Sequence, residues 1–393
     1  MNLTVRTEPE PGERRVAATP DSVRHLVSIG LAVTIERGAG VEAGYFDADY
    51  AEAGATVIPT VDLAKTEVLL HVRPLRAADV KKLPKTAITV GLASPASNLA
   101  VVDELRKRGV TSFALELVPR ISRAQSMDAL TSQALVSGYR CVLEAAIRLP
   151  RFFPLYMTAA GTVPPASVVV LGAGVAGLQA IATAKRLGAK VSANDVREAS
   201  ADEVRSMGGT FISLDLGSAD AAGGYAAELA ADRAMRQQEL LTPYLAQADV
   251  VITTAAIPGR PAPRLVTRDM LVGMRPGSVV VDLAAESGGN VEGSKPGEDV
   301  EIKLSGGGSI TLVGMKDAPS TMAYDASRLY ARNVSNLIAL MTVDGRVIPD
   351  FTDEVVGGAC LTRDGTVNHA PTLAALEAET APKTQSRSKN ASK

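Results

Sequence analysis

Cysteine, histidine and long apolar stretches are all scarce in this chain of 393 residues. The two cysteines, Cys141 and Cys360, have neither a CxxC partner nor a histidine cluster nearby, which argues against a disulfide framework and against a metal site. Unpaired thiols are typical of the reducing cytoplasm. Because no run of about 20 apolar residues is present, we expect no direct insertion into a membrane. The N-terminus also lacks the apolar stretch of a signal peptide.

Neither sign of charge dominates the chain. Lys and Arg number 41 and Asp and Glu number 43, so the formal net charge is −2. This balance gives no reason to expect nucleic acid or an anionic membrane as a direct partner. The apolar fraction of 46% and the charged fraction of 21% are those of an ordinary globular protein. At about 150 residues per domain, the length predicts two domains.

Short β-rich segments alternate with helical segments along the whole chain. The predicted strands of the first half are LTVRTE, AVTIERG, EVLLHVR and AITVGL, and those of the second are VVVLGAG, KVSANDV, TFISL, ADVVITTAA, SVVVDLA and ITLVG. Continuous Val and Ile runs predict strands that are covered on both faces. We therefore predict an α/β fold with two Rossmann-like, doubly wound parallel-sheet domains.

The sharpest motif is a glycine-rich turn between an apolar strand and a helix, GAGVAG from Gly172 to Gly177. Its first glycine permits the tight turn, its second lets the backbone approach a pyrophosphate, and its third lets helix and strand pack closely. The helix N-terminus then binds the phosphate charge. The motif predicts dinucleotide binding by Gly172, Gly174, Val175, Ala176 and Gly177.

An acid follows this motif at the end of the next strand. Asp195 lies 18 residues after Gly177 (195 − 177), close to the spacing of about 20 expected for a ribose-binding carboxylate. A carboxylate accepts hydrogen bonds from the ribose hydroxyls and repels a 2′-phosphate, which favours NAD(H) over NADP(H). Val196 and Arg197 are included in the predicted cofactor site. Arg197 has the charge to bind a 2′-phosphate, but we interpret it as a solvated surface charge.

The domain boundaries follow from two predicted helices. A long helix over residues 126–149 joins the domains, because no proline interrupts it and its apolar residues recur at helical spacing. A second helix, DASRLYARNVSNLIALM, returns the chain to the first domain. We predict a first Rossmann-like domain over residues 1–130 and 318–375, an NAD(H)-binding domain over 131–317, and a disordered tail over 376–393.

Several segments carry a more specific resemblance. LGAGVAGLQAIATAKRLGAKVSANDVR, TTAAIPGRPAPRLVT, GSVVVDLAAESGGN and the N-terminal ERRVAATPDSVRHL are similar to the alanine dehydrogenase and transhydrogenase α-subunit family, and the likeness runs from near residue 5 to about residue 370. The dehydrogenase branch carries a Lys and a His in its first domain. Here Arg73 stands at the expected lysine, and TVGLASPASNL contains no histidine. His71, in the nearby strand, is interpreted as a packed histidine.

The transhydrogenase branch fits better. PRISRAQSMDALTSQ resembles the loop of the NAD(H) component that acts in hydride transfer, with Arg120, Gln125, Asp128 and Thr131 at the matching positions. The resemblance implies that Gln125 bridges toward an NADP(H)-binding component and that Arg120 and Asp128 pair and orient the nicotinamide. Thr131 replaces the usual Ser and keeps a hydroxyl for the carboxamide.

Three further segments complete the predicted cofactor site. Tyr225, after two glycines, resembles the aromatic lid of a mobile loop. Thr253, Thr254 and Ala255 end a strand at the carboxyl edge of the sheet, where doubly wound folds bind ligands. Glu286 and Asn290 bound a glycine-containing segment at a similar edge.

The resemblance implies a soluble component in which NADH passes a hydride to NADP+ bound on a partner, while membrane-spanning subunits translocate protons. It further implies a homodimer that is cytoplasmic and docks peripherally at the membrane through these subunits. Two alternatives stay open: a self-sufficient NAD-dependent alanine or 2-oxo-acid dehydrogenase, and a non-enzymatic NAD-sensing module.

Overall fold

The computed structural model of the chain describes residues 1–215, 226–256 and 261–380. Its backbone forms two compact units. The first unit comprises Met1–Glu10, Val16–Asp128 and the described chain from Ala331 on, and the second comprises Pro11–Arg15 and Ala129–Tyr330. Each unit contains one large, mainly parallel sheet, which confirms the predicted fold class.

The strands of the described residues are, in chain order, β1 (Asn2–Val5), β2 (Ala32–Glu36), β3 (Thr56–Ile58), β4 (Val68–Leu70), β5 (Ile88–Gly91), β6 (Thr111–Ala114), β7 (Tyr156–Thr158), β8 (Gly161–Val163), β9 (Ser167–Leu171), β10 (Lys190–Asn194), β11 (Thr210–Phe211), β12 (Val250–Thr253), β13 (Val279–Asp282), β14 (Asp299–Lys303), β15 (Ser309–Gly314), β16 (Thr342–Val343), β17 (Arg346–Val347), β18 (Cys360–Arg363) and β19 (Thr366–Val367).

The α-helices of the same residues are α1 (Pro20–Ser28), α2 (Asp47–Glu52), α3 (Ala77–Val80), α4 (Leu99–Arg108), α5 (Ala129–Arg148), α6 (Val175–Arg186), α7 (Ser200–Ser206), α8 (Ala226–Ala246), α9 (Arg268–Val272), α10 (Ala323–Leu340), α11 (Glu354–Ala359) and α12 (Ala370–Thr380). Across the described ranges, none of these helices combines the length and the apolar character needed to span a membrane.

The sheet of the first unit has the strand order β19-β18-β6-β5-β4-β1-β2-β3. Strands β1 to β6 pair in parallel, and β18 and β19 add an antiparallel hairpin at one edge. The hairpin turn at Asp364 and Gly365, predicted from the sequence, has positive φ at both residues, as a two-residue type I′ turn requires.

The sheet of the second unit has the strand order β11-β10-β9-β12-β13-β15-β14, and only β14 is antiparallel to its neighbour. The chain order reverses between β9 and β12, which is where doubly wound sheets bind ligands. Leu171 pairs with both Asn194 and Thr253, and Thr253 pairs with Asp282. The carboxyl ends of four strands therefore lie level at one edge.

Both faces of this second sheet are covered. Val168 and Val170 pack in a core cluster with Ile181 of α6, whereas Val169 on the opposite face packs with Leu241 of α8. All five residues are almost completely buried. The continuous Val runs thus correspond to strands covered on two sides, as the sequence predicted.

Helix α5 is slightly shorter than predicted. Residues 122–127 form a 3₁₀ helix instead, and the α-helix begins at Ala129. A Cβ on Gly138 of α5 would lie 2.0 Å from the carbonyl oxygen of Ala176, so α5 packs very closely against the first turn of α6. At the other end of the chain, α12 extends to Thr380, five residues into the segment 376–393 that the sequence predicts to be disordered.

Candidate dinucleotide-binding site

The glycine-rich turn connects β9 to α6 with the geometry that the motif predicts. Gly172 has φ +102°, a conformation that L-residues with a side chain rarely adopt. A Cβ on Gly177 would lie only 1.9 Å from the carbonyl oxygen of Gly172, so only glycine lets the helix pack this closely on the turn. A Cβ on Gly174, in contrast, would meet no atom within 4 Å.

The open space at Gly174 lies at the N-terminus of α6. Gly174 is the N-cap residue, Val175 is partly exposed, and Ala176 is almost buried. The first turn of a helix leaves N–H groups without an intrahelical acceptor, and the helix dipole favours negative charge there. The open, N–H-lined turn therefore fits the pyrophosphate of a dinucleotide.

Asp195 lies directly after β10, beside this turn. Its Oδ2 accepts a hydrogen bond from the backbone N–H of Ala173 at 2.7 Å, and its Oδ1 accepts one from the backbone N–H of Arg197 at 2.9 Å. Burial acts to raise the pKa of this carboxyl, but the hydrogen bonds from Arg197 and from Ala173 outweigh it and hold the pKa below its usual value. Asp195 is therefore an ionised acceptor at neutral pH.

Arg197 is bonded to this carboxylate. Its Nε lies 3.0 Å from Oδ1 of Asp195, and one of its terminal nitrogens lies 3.2 Å from Oδ2. The interpretation of Arg197 as merely a solvated surface charge is therefore wrong, because an ion pair holds the guanidinium on the predicted ribose ligand. This contact joins residues only two positions apart, which the sequence motif does not predict.

A pocket of about 470 Å³ lies next to Asp195, at the carboxyl ends of β10 and β11. Its lining consists of Asn194, Asp195, Val196, Glu198, Phe211, Ser213, Leu214, Asp215, Arg233 and Gln237. Val196 is largely exposed. The pocket combines a few apolar side chains with polar groups, as sites for the adenosine half of a dinucleotide do.

The end of β12 borders the glycine turn. The hydroxyl of Thr254 donates to the carbonyl oxygen of Gly172 at 3.0 Å, so this strand end braces the turn. Thr253 is completely buried, and its hydroxyl donates to Oδ1 of Asp282 at 3.0 Å. Thr254 thus lies at the predicted site, whereas Thr253 is directed into the protein interior.

Asp282 is a buried residue that the sequence motifs do not single out. Its carboxylate accepts hydrogen bonds from the hydroxyl of Thr253 and from the backbone N–H groups of Ala284, Asn290 and Val291. It therefore ties the end of β12 to the segment that follows β13. An acid at the end of a Val-rich strand, level with a strand-ending Thr, is the signal that points to it.

Asn290 completes the same network. Its amide oxygen accepts from the backbone N–H of Ala255 at 3.1 Å, and its amide nitrogen donates to the carbonyl oxygens of Ala255 and Pro263, each at 2.8 Å. Asn290 is fully buried, so it positions Ala255 at the end of β12. Glu286, in the same segment, accepts a hydrogen bond from the backbone N–H of Asp317 at 2.9 Å.

The loop predicted to act in hydride transfer belongs mostly to the first unit. Arg120 and Gln125 are exposed, and Asp128 is partly buried. Within the described residues of the chain Arg120 forms no salt bridge, so the expected ion pair with Asp128 is not formed. Thr131 lies in the first turn of α5, in the second unit. Tyr225 lies outside the described residues.

Two groups that the sequence motifs do not indicate anchor this loop within the first unit. Arg123 forms a two-point ion pair with Asp353, at 2.9 and 3.0 Å. The side-chain amides of Asn333 and Asn336 both donate to the carbonyl oxygen of Ser126, at 2.9 and 3.0 Å. Because the partners are more than 200 positions away in sequence, no local pattern indicates these contacts. The loop that presents Gln125 is therefore attached at two points.

His71 is packed in the first unit, as predicted. It is buried, and its Nδ1 lies 2.7 Å from the carbonyl oxygen of Arg73. Burial lowers the pKa of its imidazole to about 4. A group with this pKa is neutral near pH 7 and does not serve there as a proton donor for ketone reduction.

Comparison with known proteins agrees with both units. The family model for the N-terminal domain of alanine dehydrogenase/PNT matches residues 4–137, and the model for the C-terminal domain matches residues 141–370. An NAD(P) transhydrogenase subunit alpha of Rhodospirillum rubrum is 45% identical over 381 residues, covering 94% of this chain and 98% of the relative. An alanine dehydrogenase of Mycobacterium tuberculosis is 34% identical over 304 residues, covering 75% and 76%.

A solved structure gives the same result. The crystal structure of a transhydrogenase from Sinorhizobium meliloti superposes with a TM-score of 0.81 at 42% identity, covering 93% of this chain and 98% of that one. Together with the glycine turn, the acid beside it and the two doubly wound sheets, these matches show that the chain belongs to the alanine dehydrogenase/PNT family and is similar over nearly its whole length to transhydrogenase α subunits.

Proposed function

We propose that this chain is the NAD(H)-binding component of a proton-translocating transhydrogenase, in which NADH passes a hydride to NADP+ on a separate component. The observation that carries the proposal is the β9–α6 turn, which is open at Gly174 and has an ionised acid, Asp195, beside it. The similarity to transhydrogenase α subunits supports the same reaction.

The chain's own residues bind and orient the nucleotide. Gly172, Gly174 and Gly177, with Val175 and Ala176, form the turn that would hold the pyrophosphate. Asp195 would accept the ribose hydroxyls, and Val196 and Arg197 would border the adenosine pocket. Bound NADH supplies the hydride, so the chain has to place and hold the nicotinamide rather than provide a redox group.

The remaining predicted residues act on the nicotinamide half in this proposal. Thr254 and Ala255 would form its border, with Thr253, Glu286 and Asn290 holding the border in place. Arg120, Gln125, Asp128 and Thr131 would take part in hydride transfer, and Tyr225 would cover the nucleotide. Hydride exchange between two nicotinamide rings needs no proton donor, which agrees with the lowered pKa of His71.

The proposal includes three partners: a second copy of the chain, an NADP(H)-binding component and membrane-spanning subunits that translocate protons. The chain would lie in the cytoplasm and dock peripherally through these subunits. The hairpin of β7 and β8 supports a homodimer, because all six of its residues are exposed and a two-stranded hairpin is marginally stable by itself. Met157 at this hairpin is one of the most exposed apolar side chains of the described residues.

The test mixes the purified chain with a purified NADP(H)-binding component of a transhydrogenase and follows NADH oxidation with an NADP+ analogue by absorbance. We expect turnover only when both components are present. The same chain alone, with pyruvate, ammonium and NADH, is the matched control. Robust turnover in that control would favour a self-sufficient dehydrogenase. Tight NADH binding without turnover in either mixture would favour a sensing module.

A further inference from the structure

The ion pair between Asp195 and Arg197 joins a fixed anion to a movable cation. The side chain of Asp195 is only 8% exposed, whereas that of Arg197 is 60% exposed. Besides its bonds to Asp195, the guanidinium reaches the carbonyl oxygen of Ala173 at 3.4 Å. The carboxylate keeps two backbone N–H donors whether or not the guanidinium stays. Arg197 is therefore the partner that can leave.

We infer that Arg197 is a latent 2′-phosphate ligand, which Asp195 keeps occupied, so that this ion pair determines the preference for NAD(H) over NADP(H). The inference rests on the proposed binding of NAD(H) at this turn. Asp195 then discriminates in two ways: its charge repels a phosphate on the ribose, and its carboxylate binds the cation that a phosphate would need.

The charges around the adenosine pocket support this role. Glu198 and Asp215 line the same pocket as Asp195, and Arg233 is the basic residue of the lining. With Arg197 held on Asp195, the local balance is three acids against two bases, which disfavours an added phosphate. Loss of the Asp195 charge equalises the balance and releases Arg197, whose fork geometry suits a phosphate.

The effect of Arg197 should therefore depend on residue 195. With Asp195 present, Arg197→Gln should change the affinity for NADPH by less than about threefold, because the guanidinium is already engaged. In the Asp195→Asn background the same change should weaken NADPH binding by about tenfold to a hundredfold, the size of a lost charge-assisted hydrogen bond. Asp195→Asn alone should weaken NADH binding and strengthen NADPH binding.

The experiment titrates NADH and NADPH into the full-length wild type, Asp195→Asn, Arg197→Gln and the double variant by calorimetry. Arg205→Gln is the matched control, because Arg205 forms a similar exposed ion pair with Asp202 on α7 and does not line the pocket. Circular dichroism checks that each variant folds, and Asp195→Ser replaces Asp195→Asn if the latter unfolds.

The result that supports the inference is a gain in NADPH affinity that needs both the loss of Asp195 and the presence of Arg197. Equal NADPH affinity of Asp195→Asn and the double variant would overturn it, since Arg197 would then contribute nothing. Equal weakening of NADH and NADPH by Arg197→Gln alone would also overturn it and make Arg197 an ordinary cofactor contact. Failure of the wild type to bind NADH would instead overturn the proposed function, and the inference with it.

Discussion

Two glycines of the β9–α6 turn allow cofactor binding and folding to be separated by the same chemical change. At Gly177 an added Cβ would lie 1.9 Å from a backbone oxygen, whereas an ordinary contact needs about 3.5 Å. The helix must then move away from the strand, which costs about 3 kcal/mol. Alanine regains about 1 kcal/mol through its better helix propensity. Gly177→Ala should therefore lower the free energy of unfolding by about 2 kcal/mol.

At Gly174 the same substitution meets no protein atom within 4 Å. Its backbone angles, φ −75° and ψ −171°, are allowed for alanine. Alanine is a slightly poorer N-cap than glycine but restricts the unfolded chain, so the two effects should cancel to within about 0.5 kcal/mol. The methyl group occupies the space into which a pyrophosphate would fit. Gly174→Ala should therefore raise the Kd for NADH at least about tenfold, or about 1.4 kcal/mol.

Urea denaturation followed by circular dichroism measures the stability of both variants, and calorimetric titration measures NADH affinity. Gly306→Ala is the control, because a Cβ on Gly306, in the turn between β14 and β15, also meets no atom within 4 Å. Wild-type NADH affinity in Gly174→Ala would refute the proposed position of the pyrophosphate. Unchanged stability in Gly177→Ala would refute the packing argument.

Three further predictions concern other regions of the molecule. Asp282→Asn should lower the free energy of unfolding by about 2–4 kcal/mol in urea, because an amide turns two donors toward groups that themselves donate to the carboxylate; a loss below about 0.5 kcal/mol would contradict the network. Arg123→Asp should slow hydride transfer to the partner component with NADH affinity unchanged, and adding Asp353→Arg should restore some of the rate; no rescue would argue against the ion pair as the loop's anchor. His71 has its pKa lowered to about 4, so the unfolded chain binds more protons between about pH 6.5 and 4, and stability falls as the pH drops through this range. His71→Asn should remove about 3 kcal/mol of that pH dependence and the exposed His25→Asn should not, as urea midpoints at pH 7.5 and 4.5 would measure.

Much of the fold could be predicted because its signals are local. The Val runs of β9, β12 and β13 indicate strands covered on both faces, and GAGVAG marks the turn from strand to helix. The hairpin at Asp364 and Gly365 depends on residues that tolerate positive φ. The end of the predicted long helix was accurate, but its start was three residues early, because residues 122–127 form a 3₁₀ helix.

The candidate site was predictable only where its residues are close in sequence. Gly172, Gly174, Gly177 and Asp195 belong to one strand–helix–strand unit, so their spacing indicates their proximity. The contacts of Asp282 with the end of β12 depend instead on the order of strands in the sheet.

The sequence by itself determined the α/β class, the position of the dinucleotide turn and the acid that reads the ribose, because each of these is a property of neighbouring residues. The tertiary structure decided which strand ends meet, that Asp282 and Asn290 hold Ala255, that Asp353 anchors the loop of Gln125, and that Arg197 lies on Asp195. The physical reason is that hydrogen bonds and ion pairs act over about 3 Å in space, regardless of separation along the chain.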